Sequence, residues 1–441
     1  MERNIGVAIL YFSRSGKYGA YALAAAVESK LKSIAVELID LDRCATPVER
    51  IAALSKRFHK VIVGISFNSF KIDAVRDVVN ALKSYLRNVL VVGGGPHPSA
   101  DPYGSLTKLG LDLVVVGEGE ETFVDLIKDI AEGGEGLVCG VAYKEGEKVV
   151  IKRRCKKVDL NEYPPSPLWK GIFAPIEIMR GCSSACRFCQ VTFLFGSPRY
   201  RDIDIVVDYA KTMWKRGLRD LRFVAPNSFG YGSPDGMKPC PDRLLELVEK
   251  LRREANKYGG RIFLGTFPSE VRPDSVDKDM VRELRKLVDN RRIIVGAQSG
   301  SDRILKLMHR NHSVHDVIEA VHALLEAGFE VDVDIMFGLP GEEEEDVEDT
   351  LKLCRYLVKI GARLHLHTFI PLPGTPLDEA APGRIPDEAK RELLRYISAG
   401  RAYGYWLEQE ELARRIEDYR KRRIIYTKRE QANLVKVMIC G

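Results

Sequence analysis

What this sequence lacks narrows it first. No stretch of its 441 residues supplies the roughly 18 consecutive apolar residues of a membrane helix. Met1-Glu-Arg-Asn runs straight into a strand-like segment, without the basic and apolar stretches of a secretory signal. A membrane-spanning transporter and a secreted scaffold are therefore not expected, and a cytoplasmic protein is. Six of the nine cysteines are scattered singly, unlike the dense spacing of a disulfide-stapled domain, so free thiols are expected. Hydrophobic residues at 45% and charged residues at 29% are the balance of a globular enzyme-sized chain, and the length suggests about two to three domains.

The net charge of +6 is unevenly placed. Residues 382–441 hold fourteen Lys or Arg against nine Asp or Glu, which leaves +5 of the +6 in the last sixty positions. A basic tail of this kind, with Arg420-Lys-Arg-Arg423 at its centre, either meets an acidic partner or is a solvated helical face. Composition leaves both open.

Against that background one loop stands out. Arg180-Gly-Cys182-Ser-Ser-Ala-Cys186-Arg-Phe-Cys189 sets Cys182, Cys186 and Cys189 in a CxxxCxxC spacing. Three thiolates can hold a [4Fe–4S] cluster and leave one iron open, and an incomplete ligand set marks a catalytic rather than a structural metal centre. A zinc knuckle is the competing reading, but it needs a fourth ligand close by. The next cysteine is Cys240 and the next histidine His309. Spacing favours the cluster and leaves a distant zinc ligand open.

The loop sits in a periodic frame. Short β-branched runs at 6–11, 61–65, 89–92 and 113–116 alternate with helical periodicity at 20–31 and 74–86, the βαβ alternation of a doubly wound parallel sheet. Ligands of such sheets bind outside the carboxyl ends of the strands. There the sequence places Ser66, then Gly94, Gly95 and His97, then Gly117, Glu118 and Gly119, and glycine lets backbone approach a bulky ligand. Residues 151–172 are rich in Lys, Arg and Pro and read as a linker. From 173 to about 380 the alternation resumes, with strand-like runs at 175–179, 221–224, 262–264, 293–295, 331–336 and 364–369. His365 and His367 alternate on the last run, so they share a face. They are candidates for substrate contact or proton transfer, or else satisfied core histidines. Residues 381–441 read as a basic, mainly helical segment.

Five further segments follow the cysteine loop in order: Phe267-Pro-Ser269-Glu270-Val-Arg-Pro273, Gly296-Ala-Gln298-Ser299-Gly300-Ser-Asp302, Met308-His-Arg310, Phe337-Gly-Leu-Pro-Gly341-Glu342 and Pro371-Leu-Pro-Gly374-Thr-Pro376. Together with Cys182, Cys186 and Cys189 they resemble the radical S-adenosylmethionine (SAM) enzymes, in the branch that includes methylthiotransferases and cobalamin-dependent members. The Gly93-Gly-Gly-Pro-His97 and Gly117-Glu-Gly-Glu120 segments resemble the cobalamin-binding domain that precedes many radical SAM domains. The resemblance implies an α/β chain with a Rossmann-like cobalamin-binding domain over 1–150, a partial (β/α)6 barrel over 173–380 and a helical C-terminal segment.

It also implies roles. Cys182, Cys186 and Cys189 would hold the cluster, whose open iron takes SAM. Glu270 would reach the ribose or amino group of SAM, Arg310 its carboxylate, Gln298 and Ser299 would hydrogen-bond nearby, and Ser269 would belong to the same cofactor site. Asn227 or Ser228 replaces the family's usual Gly-Glu segment and would receive the methionyl amine. Ser66, Gly94, Gly95, Gly117, Glu118 and Gly119 would contact cobalamin. The Asp-x-His-x-x-Gly motif that supplies a lower axial histidine elsewhere is absent, so His97 would line the corrin face without ligating cobalt.

The implied activity is a cobalamin-dependent C-methyltransferase, in which a 5′-deoxyadenosyl radical abstracts hydrogen from an unactivated carbon that then takes the methyl group of methylcobalamin. It would draw electrons from an external donor of flavodoxin or ferredoxin type and act on a protein residue, lipid or small metabolite. A tRNA methylthiotransferase is the rival on the resemblance of 298–310. It is disfavoured because the N-terminal region holds only Cys44 and Cys139 in place of that family's extra cysteine triad, and tRNA is the less favoured substrate. A radical rearrangement or cyclisation enzyme, and a non-catalytic cobalamin or redox sensor, are further alternatives.

Overall fold

A computed structural model describes residues 4–154 and 156–440. It falls into two compact units, one built from the chain up to Ala174 together with Asp418 onward, the other from Pro175–Glu417.

The first unit is organised on an eight-stranded sheet in the spatial order Val435–Ile439, Lys148–Arg153, Val141–Glu145, Leu113–Val115, Val89–Gly94, Lys60–Ser66, Ile5–Tyr11, Val36–Asp40. The five strands from Leu113–Val115 to Val36–Asp40 are parallel. Their sequences are continuously apolar because helices cover both faces, and all seven residues of Ile5–Tyr11 are buried. The helix Lys17–Lys30 buries an alanine-rich stripe, Ala20, Ala24, Ala25 and Ala26, together with Val27, so it packs closely. Ile72–Tyr85 buries Ile72, Val75, Val79 and Leu82 at helical spacing.

Two features of this unit differ from the sequence expectation. Lys148–Arg153, half assigned to a linker by its basic composition, is a strand that buries Val149 and Val150 and pairs antiparallel with Val141–Glu145. The segment 381–441 also divides. Its last part returns to the first unit: Tyr419 hydroxyl bonds the Asp73 carboxylate, Tyr426 N–H donates to Asp101 at 3.0 Å, and Gln431 donates to the Ala100 carbonyl at 3.0 Å. The strand Val435–Ile439 then adds in parallel to Lys148–Arg153.

Cys139 and Cys440 are joined by a disulfide, which corrects the expectation of free thiols at these two positions. Cys44, Cys182, Cys186, Cys189, Cys240 and Cys354 are free. The bridge ties the returning strand across 301 residues of chain. Cys440→Ser is expected to lower the unfolding free energy of the oxidised protein by about 2–4 kcal/mol and to leave the reduced protein unchanged. Denaturant unfolding with and without reductant measures this, and equal curves for both proteins would show that the bridge does not constrain the chain.

The second unit repeats strand and helix six times. Ile176–Glu177, Asp220–Val224, Arg261–Phe263, Arg292–Gln298, Glu330–Phe337 and Arg363–Thr368 are followed by Ile203–Lys215, Pro241–Tyr258, Lys278–Leu287, Val314–Glu326, Glu344–Lys359 and Asp387–Ser398. The strands pair in parallel as two arcs, the first three and the last three. The isolated bridge Val271 to Val295 links the arcs, and the short strand Ala402–Tyr403 extends the second. On the last two long strands Val331, Val333, Ile335, Leu364 and Leu366 are buried apolar residues. Asp332, Asp334, Arg363, His365 and His367 alternate with them, so polar groups share the opposite face.

Candidate functional site

The cysteine loop leaves the first strand of the second unit at its carboxyl end. Met179–Arg180 pairs antiparallel with Arg199–Tyr200, which pins both ends of the intervening loop. Within it Cys182 N–H donates to the Gly196 carbonyl at 3.0 Å, Cys189 N–H to the Cys186 carbonyl at 3.0 Å, and Arg187 N–H to the Met308 carbonyl at 3.1 Å. Burial pushes the Cys189 thiol up to about 12, and the neighbouring Cys186, Glu270 and Cys182 push the same way. Metal binding requires the thiolate, so three cysteines carried on one loop, Cys186 among them buried, suit a cationic metal centre better than a reactive free thiol.

Around the loop the structure brings together three of the predicted polar residues. A Cβ built on Gly296 would lie 3.1 Å from Gln298 Nε2, 3.2 Å from Arg310 Nη2 and 3.4 Å from Glu270 Oε2, so these side chains converge on one bare backbone position. The strand is bulged between Gly296 and Gln298, and Gln298 takes φ +80°, an arrangement that re-aims a side chain at a strand end. Arg310 donates through Nη2 to the Gly296 carbonyl and through Nη1 to Cys186 Sγ at 3.5 Å. Its Nε is buried without a partner. Burial raises the Glu270 carboxyl and the Asp334 charge adds to it, while Arg310 opposes both. Unpaired Asn227 Nδ2 and Ser228 Oγ are likewise buried. Orphaned donors of this kind are what an absent polar ligand leaves behind, and a SAM-sized amino acid head group fits the donor set.

Other predicted residues do local work. Ser269 Oγ donates to the Phe223 carbonyl at 2.6 Å, and Ser299 Oγ accepts from Ser301 N–H at 3.1 Å. Asn227 Oδ1 accepts from Arg272 N–H at 3.2 Å and Ser275 Oγ at 2.9 Å. Their hydrogen bonds hold the loops on which Glu270, Gln298 and Ser228 ride.

His365 and His367 share the predicted face, with side chains 24% and 22% exposed. The structure adds Asp334, which sequence reading took only as part of a buried strand. Its Oδ1 lies 2.7 Å from His365 Nδ1. Burial alone would push the Asp334 carboxyl up, but the hydrogen bonds of His365 and His367 hold it down at about 2. The signal was present: two aspartates two positions apart in an otherwise apolar run, Val331-Asp-Val-Asp-Ile, put two carboxylates on one face.

In the first unit Ser66, at the end of its strand, pairs in register with Gly94. Gly95 takes φ +93°, and its missing Cβ would come within 3.1 Å of Phe67 backbone atoms. Gly117 has nothing within 4 Å of its missing Cβ, so bare backbone borders open space at the strand ends, which fits a large flat ligand. Glu118 Oε2 accepts from Val158 N–H at 3.0 Å. His97 leaves Nε2 buried without a hydrogen-bond partner. It is 1% exposed, bonded through Nδ1 to Ser69 Oγ at 2.9 Å, and burial lowers it to about 3. It is a neutral ring beneath the loop.

Two family models match this chain, the B12 binding domain over residues 14–127 and the radical SAM superfamily over 176–354. The chain has the cobalamin-binding radical SAM arrangement. A radical SAM domain implies a [4Fe–4S] cluster and SAM, and a B12 binding domain implies cobalamin. Radical SAM enzymes draw on an external electron donor. The radical S-adenosylmethionine methyltransferase TsrM from Kitasatospora setae, solved with cobalamin and a [4Fe–4S] cluster bound, matches with a TM-score of 0.69 at 16% identity, covering 88% of this chain and 76% of its own. That likeness is one of fold. By sequence, an uncharacterised protein of Methanopyrus kandleri is 24% identical over 380 residues, 75% of this chain and 68% of that one. The tRNA-2-methylthio-N(6)-dimethylallyladenosine synthase of Shewanella denitrificans is 31% identical over 257 residues, 57% of this chain and 52% of the synthase. This radical SAM chain thus spans about half the length of that synthase. Among the described residues no helix is long and apolar enough to cross a membrane.

Proposed function

We propose that this radical SAM protein is a cobalamin-dependent C-methyltransferase. The observation that carries the reading is the convergence of Glu270, Gln298 and Arg310 over Gly296 beside Cys186, in a chain whose other unit bares Gly117 at a sheet strand end. Cys182, Cys186 and Cys189 would hold the cluster, with Arg310 and Glu270 binding the carboxylate and the amino or ribose groups of SAM. Gln298, Asn227 and Ser228 would orient it, with Ser269 and Ser299 behind them. Ser66, Gly94, Gly95, Gly117, Glu118 and Gly119 would hold cobalamin. When bound, the cluster supplies one-electron chemistry to SAM, and cobalamin carries the methyl group. The residues bind, orient and exclude water, and a flavodoxin or ferredoxin in a reducing cytoplasm suits the electron supply.

The likeness to the tRNA synthase favours methylthiotransferase as the second reading. Against it, Cys139 is bonded to Cys440, which leaves Cys44 as the one free cysteine described among residues 4–154, and the final strand joins the first sheet. The methyl acceptor would be a protein residue, a lipid or a small metabolite.

Anaerobic reconstitution is expected to give about four irons per chain with base-off cobalamin near one equivalent, and reductive cleavage of SAM to 5′-deoxyadenosine. Iron and SAM cleavage without cobalamin would overturn the methyltransferase reading. Cofactors without SAM cleavage would point to a sensor.

A further inference from the structure

The two imidazoles beside Asp334 are not equivalent. Thr368 N–H donates to Gln409 Oε1 at 2.9 Å, which fixes the amide so that Nε2 is the group 3.2 Å from His367 Nδ1. An amide nitrogen only donates, so His367 accepts at Nδ1 and carries its proton on Nε2.

His365 is set the other way. An ionised carboxylate only accepts, so the 2.7 Å contact with Asp334 Oδ1 puts the His365 proton on Nδ1 and its lone pair on Nε2. His367 Nε2 also approaches His365 Nδ1, at 3.2 Å, and stands 3.8 Å from Asp334 Oδ1, so the much shorter carboxylate contact decides which partner the His365 Nδ1 proton serves. The His365 ring is clamped flat on Tyr403, at 4.5 Å between centroids and 12° between planes. Tyr403 is in turn tied by its hydroxyl to Asp332 at 2.8 Å and lies under Arg363. No hydrogen bond from a described residue occupies His365 Nε2. Of the charged groups nearby, Arg363 is matched by Asp332, and Glu270 faces Asp334, with which it shares a hydrogen bond, as well as Arg310. Asp334 is the carboxylate in direct contact with His365 and so the one placed to stabilise an imidazolium there.

The ligand atoms of Asp334, His365 and His367 all lie within 4.8 Å of one another, which also suggests a metal site. The Gln409 amide decides against it. A metal on His367 Nε2 would move that proton to Nδ1, where it meets a donor instead of the acceptor that metal-bound histidines require.

We propose that His365 is a general base whose Nε2 takes a proton from an N–H, O–H or similarly acidic X–H group of the substrate, with Asp334 and Tyr403 as positioning residues. The X–H bond breaks, its electron pair stays on X, and an N–H bond forms on His365. The inference rests on the proposed activity for there being a substrate in this barrel, and it narrows the acceptor to a compound that gives up a proton as it reacts.

Diethyl pyrocarbonate, which acylates imidazole nitrogens bearing a free lone pair, tests the assignment without a substrate. Trypsin cleavage after Arg363 and Arg384 puts both histidines on one peptide, 364–384, and fragment spectra locate the adduct. In the cofactor-loaded full chain, labelling of His365 is expected to exceed that of His367 about ten-fold, with Asp334→Asn reducing the excess several-fold. Equal labelling, labelling of His367 alone, or no labelling of either overturns the proposal. So does protection of both by one equivalent of Zn²⁺ when the cluster cysteines are already filled. The wild-type ratio decides even where the variant does not fold. SAM cleavage in the same preparation scores the proposed activity separately: cleavage without selective labelling sinks the base, and selective labelling without cleavage sinks the activity.

Discussion

Cys186→Ala is expected to bring bound iron from about four to below about one per chain and SAM cleavage to background. That is a loss on the order of 10³-fold or more, about 4 kcal/mol of barrier. Cys186 is the most deeply buried of the three loop cysteines, at 6% exposure, and the only one whose sulfur receives a hydrogen bond from Arg310 among the described contacts. Two remaining thiolates cannot close three irons of a cubane. The fold itself loses little, because the loop is held by backbone bonds of Cys182 and Cys189 and by Arg187 to Met308, none of which needs the Cys186 side chain. Iron, sulfide and zinc analysis beside circular dichroism separates the outcomes. Wild-type protein carrying one zinc and no iron would overturn the cluster reading. Unchanged iron in the variant would show that Cys186 is not a ligand.

The periodic parts of this fold were legible because they are local. Continuous apolar runs such as Ile5–Tyr11 name buried parallel strands, and the cysteine loop falls at a strand end because strand ends are where these sheets open. Two things were not legible, and both concern residues far apart in sequence. Lys148–Arg153 hides its buried Val149 and Val150 among basic residues, and its outer partner lies near the end of the chain, so no window of sequence contains the pair. Tyr419, Tyr426 and Gln431 likewise find their partners Asp73, Asp101 and Ala100 more than 300 residues back. At the site, residue type marked Glu270 and Arg310, but burial decides how His97 behaves, and burial is a property of the packed loop. Asp334 shows the opposite error: its alternation with apolar residues was visible, yet a carboxylate on a buried strand gains meaning only with His365 in register beside it.

Arg310→Met is expected to weaken SAM binding by at least about 100-fold, or roughly 2.7 kcal/mol. The guanidinium is 7% exposed and has three directions to serve. One donor holds the Gly296 carbonyl, one meets Cys186 Sγ at 3.5 Å, and Nε is left over. An acceptor brought by a ligand is the natural partner for that last donor, and a carboxylate is the shape a guanidinium fits. Arg310→Lys keeps the charge but cannot span the Gly296 carbonyl and Cys186 together, so it should recover only part of the affinity. The loss has a second source. Arg310 is the first of the groups that oppose the rise of the Glu270 carboxyl, ahead of His367, and removing one member of a buried charge pair costs about 3–5 kcal/mol unless the other is neutralised. In the methionine variant Glu270 should therefore stay protonated to higher pH, and SAM affinity, which needs the carboxylate to receive an amine or hydroxyl, should fall further at low pH than in the wild type. Equilibrium dialysis of SAM against cluster-loaded protein across pH, with iron content as control, measures both effects. Affinity within about three-fold of wild type, a difference of roughly 0.65 kcal/mol, would remove Arg310 from the binding site and leave it as a support for the cysteine loop.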